Sequence, residues 1–105
     1  MGHNLDGYDV SLEDAIQLAK AFETLANRVS YNEIKQLFLF ESKYYQLVAK
    51  CKREGITEEE PLIRQADEFY KSAQKTDGLH KLPVIYSSAI DSLEKALKIH
   101  TKTFK

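Results

Sequence analysis

Residues 30–53, SYNEIKQLFLFESKYYQLVAKCKR, decide the fold. They hold the apolar run Leu37-Phe38-Leu39-Phe40 and then the pair Tyr44-Tyr45. On a helical wheel Ile34, Leu37, Phe38, Phe40, Tyr44, Tyr45, Val48 and Cys51 fall on an arc of roughly 200°, about twice a minimal surface stripe. Lys35, Gln36, Ser42, Lys43, Gln46 and Lys50 take the other side. A helix with so wide an apolar face needs cover from at least two directions, so this is the central helix of an all-α bundle.

The ends of the stretch carry their own signals. Ser30 and Glu33 have the spacing of a capping box, and Val29 with Ile34 that of a hydrophobic staple, which starts the helix at Tyr31. Lys50, Lys52 and Arg53 lie where cations complement the helix dipole, and Gly55 supplies the stop.

Upstream, Ser11 reads as an N-cap with Glu13 and Asp14 in the first turn. Leu12, Ala15, Ile16, Ala19, Phe22, Leu25, Ala26 and Val29 then recur at helical spacing. Residues 1–10 show no apolar period and read as a loose arm. The opening Met-Gly-His reads as an expression remnant, so His3 carries no functional weight.

Downstream, a third helix has two candidate starts, a Thr57–Glu60 capping box or Pro61 at the first helical position. Its stripe is Leu62, Ile63, Ala66, Phe69, Tyr70 and Ala73, and Asp77-Gly78 ends it. Leu79 to Leu82 form a connection, with Leu82 pushed out of α conformation by Pro83, which opens the fourth helix. That helix carries Ile85, Tyr86, Ala89, Ile90, Leu93, Ala96 and Leu97, with His100 as a further candidate, and is expected to fray toward Phe104. The expected architecture is a four-helix bundle of two antiparallel α-hairpins, with helices roughly 12–28, 31–53, 58–76 and 83–103. It forms a single domain over 11–105 behind the 1–10 arm.

The chain of 105 residues suits one domain, and a net charge of −1 gives no general reason to expect a nucleic acid or an anionic membrane as partner. Cys51 stands alone, which excludes an internal disulfide and fits a reducing compartment. No apolar run reaches the length of a membrane span and the N-terminus lacks a signal-peptide pattern, so cytoplasmic residence is expected.

Catalytic, metal and cofactor patterns are not found. His3, His80 and His100 are scattered, no second cysteine accompanies Cys51, and there is no Gly-rich phosphate loop. Glu58-Glu59-Glu60 reads as a solvated run that suits a helix N-terminus. Lys95, Lys98, Lys102 and Lys105 make a basic stripe that would serve a weak nucleic-acid binder, against which stand Asp91 and Glu94.

Two anomalies on the central helix are more telling. Glu41 projects from the apolar face between Phe38, Tyr45 and Val48, where a carboxylate needs a Lys or Tyr partner, a place near the bundle's open end, or a ligand. Leu39 projects from the polar face, and with Phe40 and Leu47 on one flank it could edge a groove for a partner helix.

The stretch ADEFYKSAQKTDGLHKLPVIYSSAIDSLEKALK, residues 66–98, ends in a familiar pattern. Leu82 to Lys98 resembles the second helix of microtubule-interacting-and-trafficking (MIT) domains, with Tyr86, Ala89, Ile90, Leu93, Ala96 and Leu97 at the patterned positions and Gly78 near the inter-helix glycine. The same letters are similar to the second helix of a tetratricopeptide repeat. The MIT resemblance implies an adaptor that takes short motifs of partner proteins in an inter-helix groove, often in trafficking or autophagy. That family's third helix would have to come from residues 12–53.

The function expected is therefore non-enzymatic peptide or helix binding through Leu39, Phe40, Leu47 and Glu41, without a cofactor. The alternatives are a self-associating structural protein such as a homodimer, a small regulatory or immunity-type four-helix protein, and the nucleic-acid binder.

Overall fold

In the computed structural model, residues 7–103 are described. Four helices account for most of them: α1 (Leu12–Arg28), α2 (Asn32–Arg53), α3 (Pro61–Lys75) and α4 (Leu82–Thr103). No strand occurs among the described residues. The packing order is α1–α2–α4–α3, so each hairpin packs internally and the two long helices, α2 and α4, join the hairpins. This is the expected helical bundle.

The local rules account for most of the helix ends. Ser11 caps α1 by accepting a 3.1 Å hydrogen bond from the Asp14 backbone N–H. Gly55, at φ +79°, closes α2. The N–H of Gly55 donates to the Lys52 carbonyl at 3.1 Å and that of Ile56 to the Cys51 carbonyl at 3.0 Å. This is the paired-bond Schellman stop, which requires a residue in the left-handed region. Pro61 takes the first position of α3, and the Glu60 side chain caps it from outside. Residues 58–60 are thus a turn and not the start of the helix.

Three ends depart from the sequence reading. The Ser30–Glu33 capping box does not form, because α2 starts one residue later than expected. Tyr31 becomes the N-cap, without a side-chain cap bond, and Ser30 falls one position outside the box. Leu82 is helical (φ −59°, ψ −42°) despite preceding proline. A 3-10 turn over Leu79–Lys81 feeds directly into α4 and sets that conformation, against a restriction that is only a preference. The arm is not loose over the residues described. Gly7–Asp9 form a 3-10 turn, and Tyr8 is only 3% exposed. Residues 1–6, and His3 with them, lie outside the described residues, as do Phe104 and, in the basic stripe, Lys105.

The arm docks because it has a gap to fill. No Cα of α2 comes within 8 Å of one in α3, and Tyr8 enters beside both helices. Its hydroxyl donates to the Ile56 carbonyl at 2.6 Å and its backbone N–H to Asp67 Oδ1 at 3.3 Å. Lys52 Nζ sits 4.3 Å above its ring.

Further along, tyrosine rings bridge the same gap. Tyr44 stacks on Tyr70 at 4.9 Å, Tyr45 meets Tyr70 edge-on at 5.8 Å, and Tyr70 meets Tyr86 at 6.1 Å. Phe22 extends the cluster onto α1, stacking on Tyr45 at 5.9 Å. Each such pair contributes about 0.5–1.5 kcal/mol beyond its buried area.

On the other side of α2, Ser42 is buried, although the wheel assigns it to the polar face. Its hydroxyl donates to the Ala19 carbonyl at 2.7 Å and accepts from Gln46 Nε2 at 3.2 Å. Buried Ala15, Ala19 and Ala26 give α1 a low-profile face there. The central helix is therefore covered by α1 on one side, by α4 on another, and by the tyrosine cluster on a third.

Candidate functional site

α2 and α4 lie side by side, and their facing surfaces leave a groove open to solvent. Leu39, Phe40, Gln36 and Lys43 of α2 and Ser87 and Ile90 of α4 line a hollow of about 260 Å³. The α2 residues follow helical spacing, so all four reach one edge. Phe40 and Gln36 also line a second hollow of about 330 Å³, completed by Asn32, Glu33, Leu79, His80 and Pro83. The two share a wall, and together they follow α2 from Asn32 to Lys43, about 16 Å at helical rise.

The four residues singled out in the sequence are divided by the structure. Leu39, 38% exposed, and half-buried Phe40 share the groove. Leu47 does not reach it. At 5% exposure it is a core residue packed under the bundle.

Glu41 lines neither hollow. It is half-buried and accepts a 2.9 Å hydrogen bond from the Tyr86 hydroxyl, which in turn receives one from Gln74 Nε2 at 3.3 Å. A tyrosine partner is one of the alternatives that the position left open. Glu41 and Tyr86 each neighbour a groove residue in sequence, Phe40 on α2 and Ser87 on α4, so their bond ties the two walls together at that level.

Burial raises the Glu41 carboxyl above its ordinary range, and the Tyr86 hydrogen bond offsets part of the rise. Burial, followed by the charge of Glu41, pushes the Tyr86 phenol up, and burial followed by Tyr70 does the same to Tyr45. These phenols therefore remain protonated donors throughout the physiological range.

Cys51 is fully buried, and burial pushes its thiol up to about 12, which leaves it a poor nucleophile. Among the described residues no group of three or more His, Cys, Asp or Glu is arranged to hold a metal ion. Beside the docked arm, Tyr8, Asp9, Glu58, Asp67 and their neighbours enclose about 280 Å³. There Asp67 is paired with Lys71 at 3.1 Å, and a hydrogen bond with Asp9 raises the Glu58 carboxyl. In the basic stripe of α4, Lys95 is paired with Asp91 at 3.2 Å.

The α4 wall was not recognisable as a site from the sequence. Ile90 reads as an ordinary core position and Ser87 as a surface one. Only the choice of α4 as the neighbour of α2 brings them opposite Leu39 and Phe40, and no residue pattern encodes that choice.

No protein family, no curated protein and no solved structure was found to match this chain. Among the described residues, no helix is long and apolar enough to cross a membrane.

Proposed function

We propose that this protein is a non-enzymatic adaptor that binds a helix or short peptide of a partner protein in the α2–α4 groove. One observation carries the reading. Leu39 and Phe40, adjacent in sequence, both open into a hollow floored by Ile90, and Phe40 continues into a second hollow with Leu79 and Pro83. Two adjoining depressions with apolar residues set among polar ones along α2 suit a helix that presents side chains at i, i+3, i+4 and i+7. Their size supports the same choice. At about 260 and 330 Å³, each suits side-chain anchors and lies at the low end for a whole small-molecule ligand. The MIT resemblance of residues 82–98 agrees with such a role and suggests trafficking or autophagy in the cytoplasm as its setting.

The test begins with a helical peptide library displayed against the folded chain. Peptides recovered on the parent should bind Leu39→Ala and Phe40→Ala at least about tenfold more weakly, with helix content unchanged. Undiminished affinity in both variants would refute the groove assignment.

A second reading, closure of the groove by another copy of the chain, is favoured by the exposure of Leu79 in its lining. Light scattering across a concentration series separates the two, since the adaptor reading expects a monomer.

A further inference from the structure

Another concavity lies on the other flank of the exposed strip of α2, about 15 Å further along the helix. Ile16 and Ala19 of α1 and Ala49 of α2 make its floor, Lys20, Lys50 and Arg53 stand around it with Glu23 and Gln46, and its volume is about 300 Å³. The hollow exists because two of its floor residues are buried alanines, too short to fill the space between the helices. Three cations face one carboxylate, and none of the three lies within ion-pair distance of an acid among the described residues. The end of α2 accounts for Lys50 and Arg53, which complement the helix dipole. It does not account for Lys20, which comes from the interior of α1 and adds its charge to theirs.

We propose that this α1–α2 groove docks an acidic segment of a partner protein. One apolar side chain of that segment enters the hollow over Ile16, Ala19 and Ala49, and flanking carboxylates meet Lys20, Lys50 and Arg53. Charge complementarity selects the occupant, since an apolar floor ringed by unpaired cations matches an apolar anchor ringed by anions. An anionic membrane fits less well. The surface is concave, Glu23 stands on its rim, and three cations are fewer than the roughly four to eight of polybasic lipid-binding segments. A nucleic acid fits less well again, because no aromatic ring lines the groove for base stacking. The proposal is independent of the α2–α4 groove.

The experiment is a fluorescence anisotropy titration of the full chain with two labelled peptides. In one, a central Leu is flanked by Glu residues, and in the other every Glu is replaced by Lys. The expected result is saturable binding of the Glu peptide alone, weakened by salt and reduced at least about tenfold by Lys50→Glu combined with Arg53→Glu. Leu39→Ala should leave it unchanged. Lys20, Lys50 and Arg53 are exposed, so the reversals should leave helix content intact by circular dichroism. If the double variant loses helicity, Lys20→Glu alone is read in the same way. Equal binding of the two peptides, no loss on charge reversal, or a preference for phosphatidylserine vesicles over the Glu peptide overturns the proposal.

Discussion

Tyr86 on α4 donates a 2.9 Å hydrogen bond to the carboxylate of Glu41 on α2, joining the two helices that bound the groove. Burial nevertheless holds that carboxyl above its ordinary value of 4.5, so the folded state binds its proton more tightly than the unfolded chain does. The sign follows from linkage. Stability from this group is present on the acid side of 4.5 and is lost as pH rises through the raised native value.

Glu41→Gln keeps an oxygen that can accept from Tyr86 and removes the buried charge. Urea unfolding should find the variant at least as stable as the parent at neutral pH. Its advantage should shrink as pH falls through the raised native value and level off below the ordinary carboxylate value of 4.5. An advantage that grows toward acid would mean the carboxylate is stabilised and not strained by its site.

The hydroxyls of Tyr45 and Tyr70 lie 2.5 Å apart in the core, one from each hairpin. Replacing either tyrosine with Phe removes half of a buried pair and should cost about 1–2 kcal/mol. The double variant should cost less than the sum of the singles, with a coupling of about 1 kcal/mol in a double-mutant cycle. Strict additivity would show that the two hydroxyls do not support each other.

Gly7 sits at φ +29°, and a Cβ there would collide with Asp67 Oδ1 and lie 2.7 Å from the Tyr44 hydroxyl. Tyr44 is fully buried, and its hydroxyl has no partner among the described residues, so the close approach of the arm is what covers it. Gly7→Ala should weaken arm docking by about 1–3 kcal/mol. Amide exchange at Tyr8 and Val10 should accelerate roughly ten- to a hundredfold while the amides of α2 keep most of their protection. Unchanged exchange at Tyr8 would contradict the docked geometry.

The helices were legible in the sequence because periodicity and end signals agree over long stretches. Ser11, Gly55 and Pro61 act where their chemistry says they should. What escaped were features set by a neighbour. Ser42 is polar and reads as exposed, yet α1 supplies a carbonyl that lets it be buried. Tyr8 has no apolar period around it, yet a gap between α2 and α3 admits its ring. Leu47 lies on the same flank as Leu39 and Phe40 by wheel position, and only the packing places it under the core. The groove was half legible. Leu39 and Phe40 announced themselves as surplus apolar surface on α2, whereas Ser87 and Ile90 had no signal beyond the pattern of their own helix.

The central claim is that the α2–α4 groove receives a partner's helix. Its most direct test is an amide chemical-shift titration of the labelled chain with a peptide selected from the displayed library. The account predicts saturable shifts concentrated at residues 36–43 and 83–90, lost together in Leu39→Ala. Shifts that cluster elsewhere on the bundle, or that persist at those residues in Leu39→Ala with the same affinity, would contradict it.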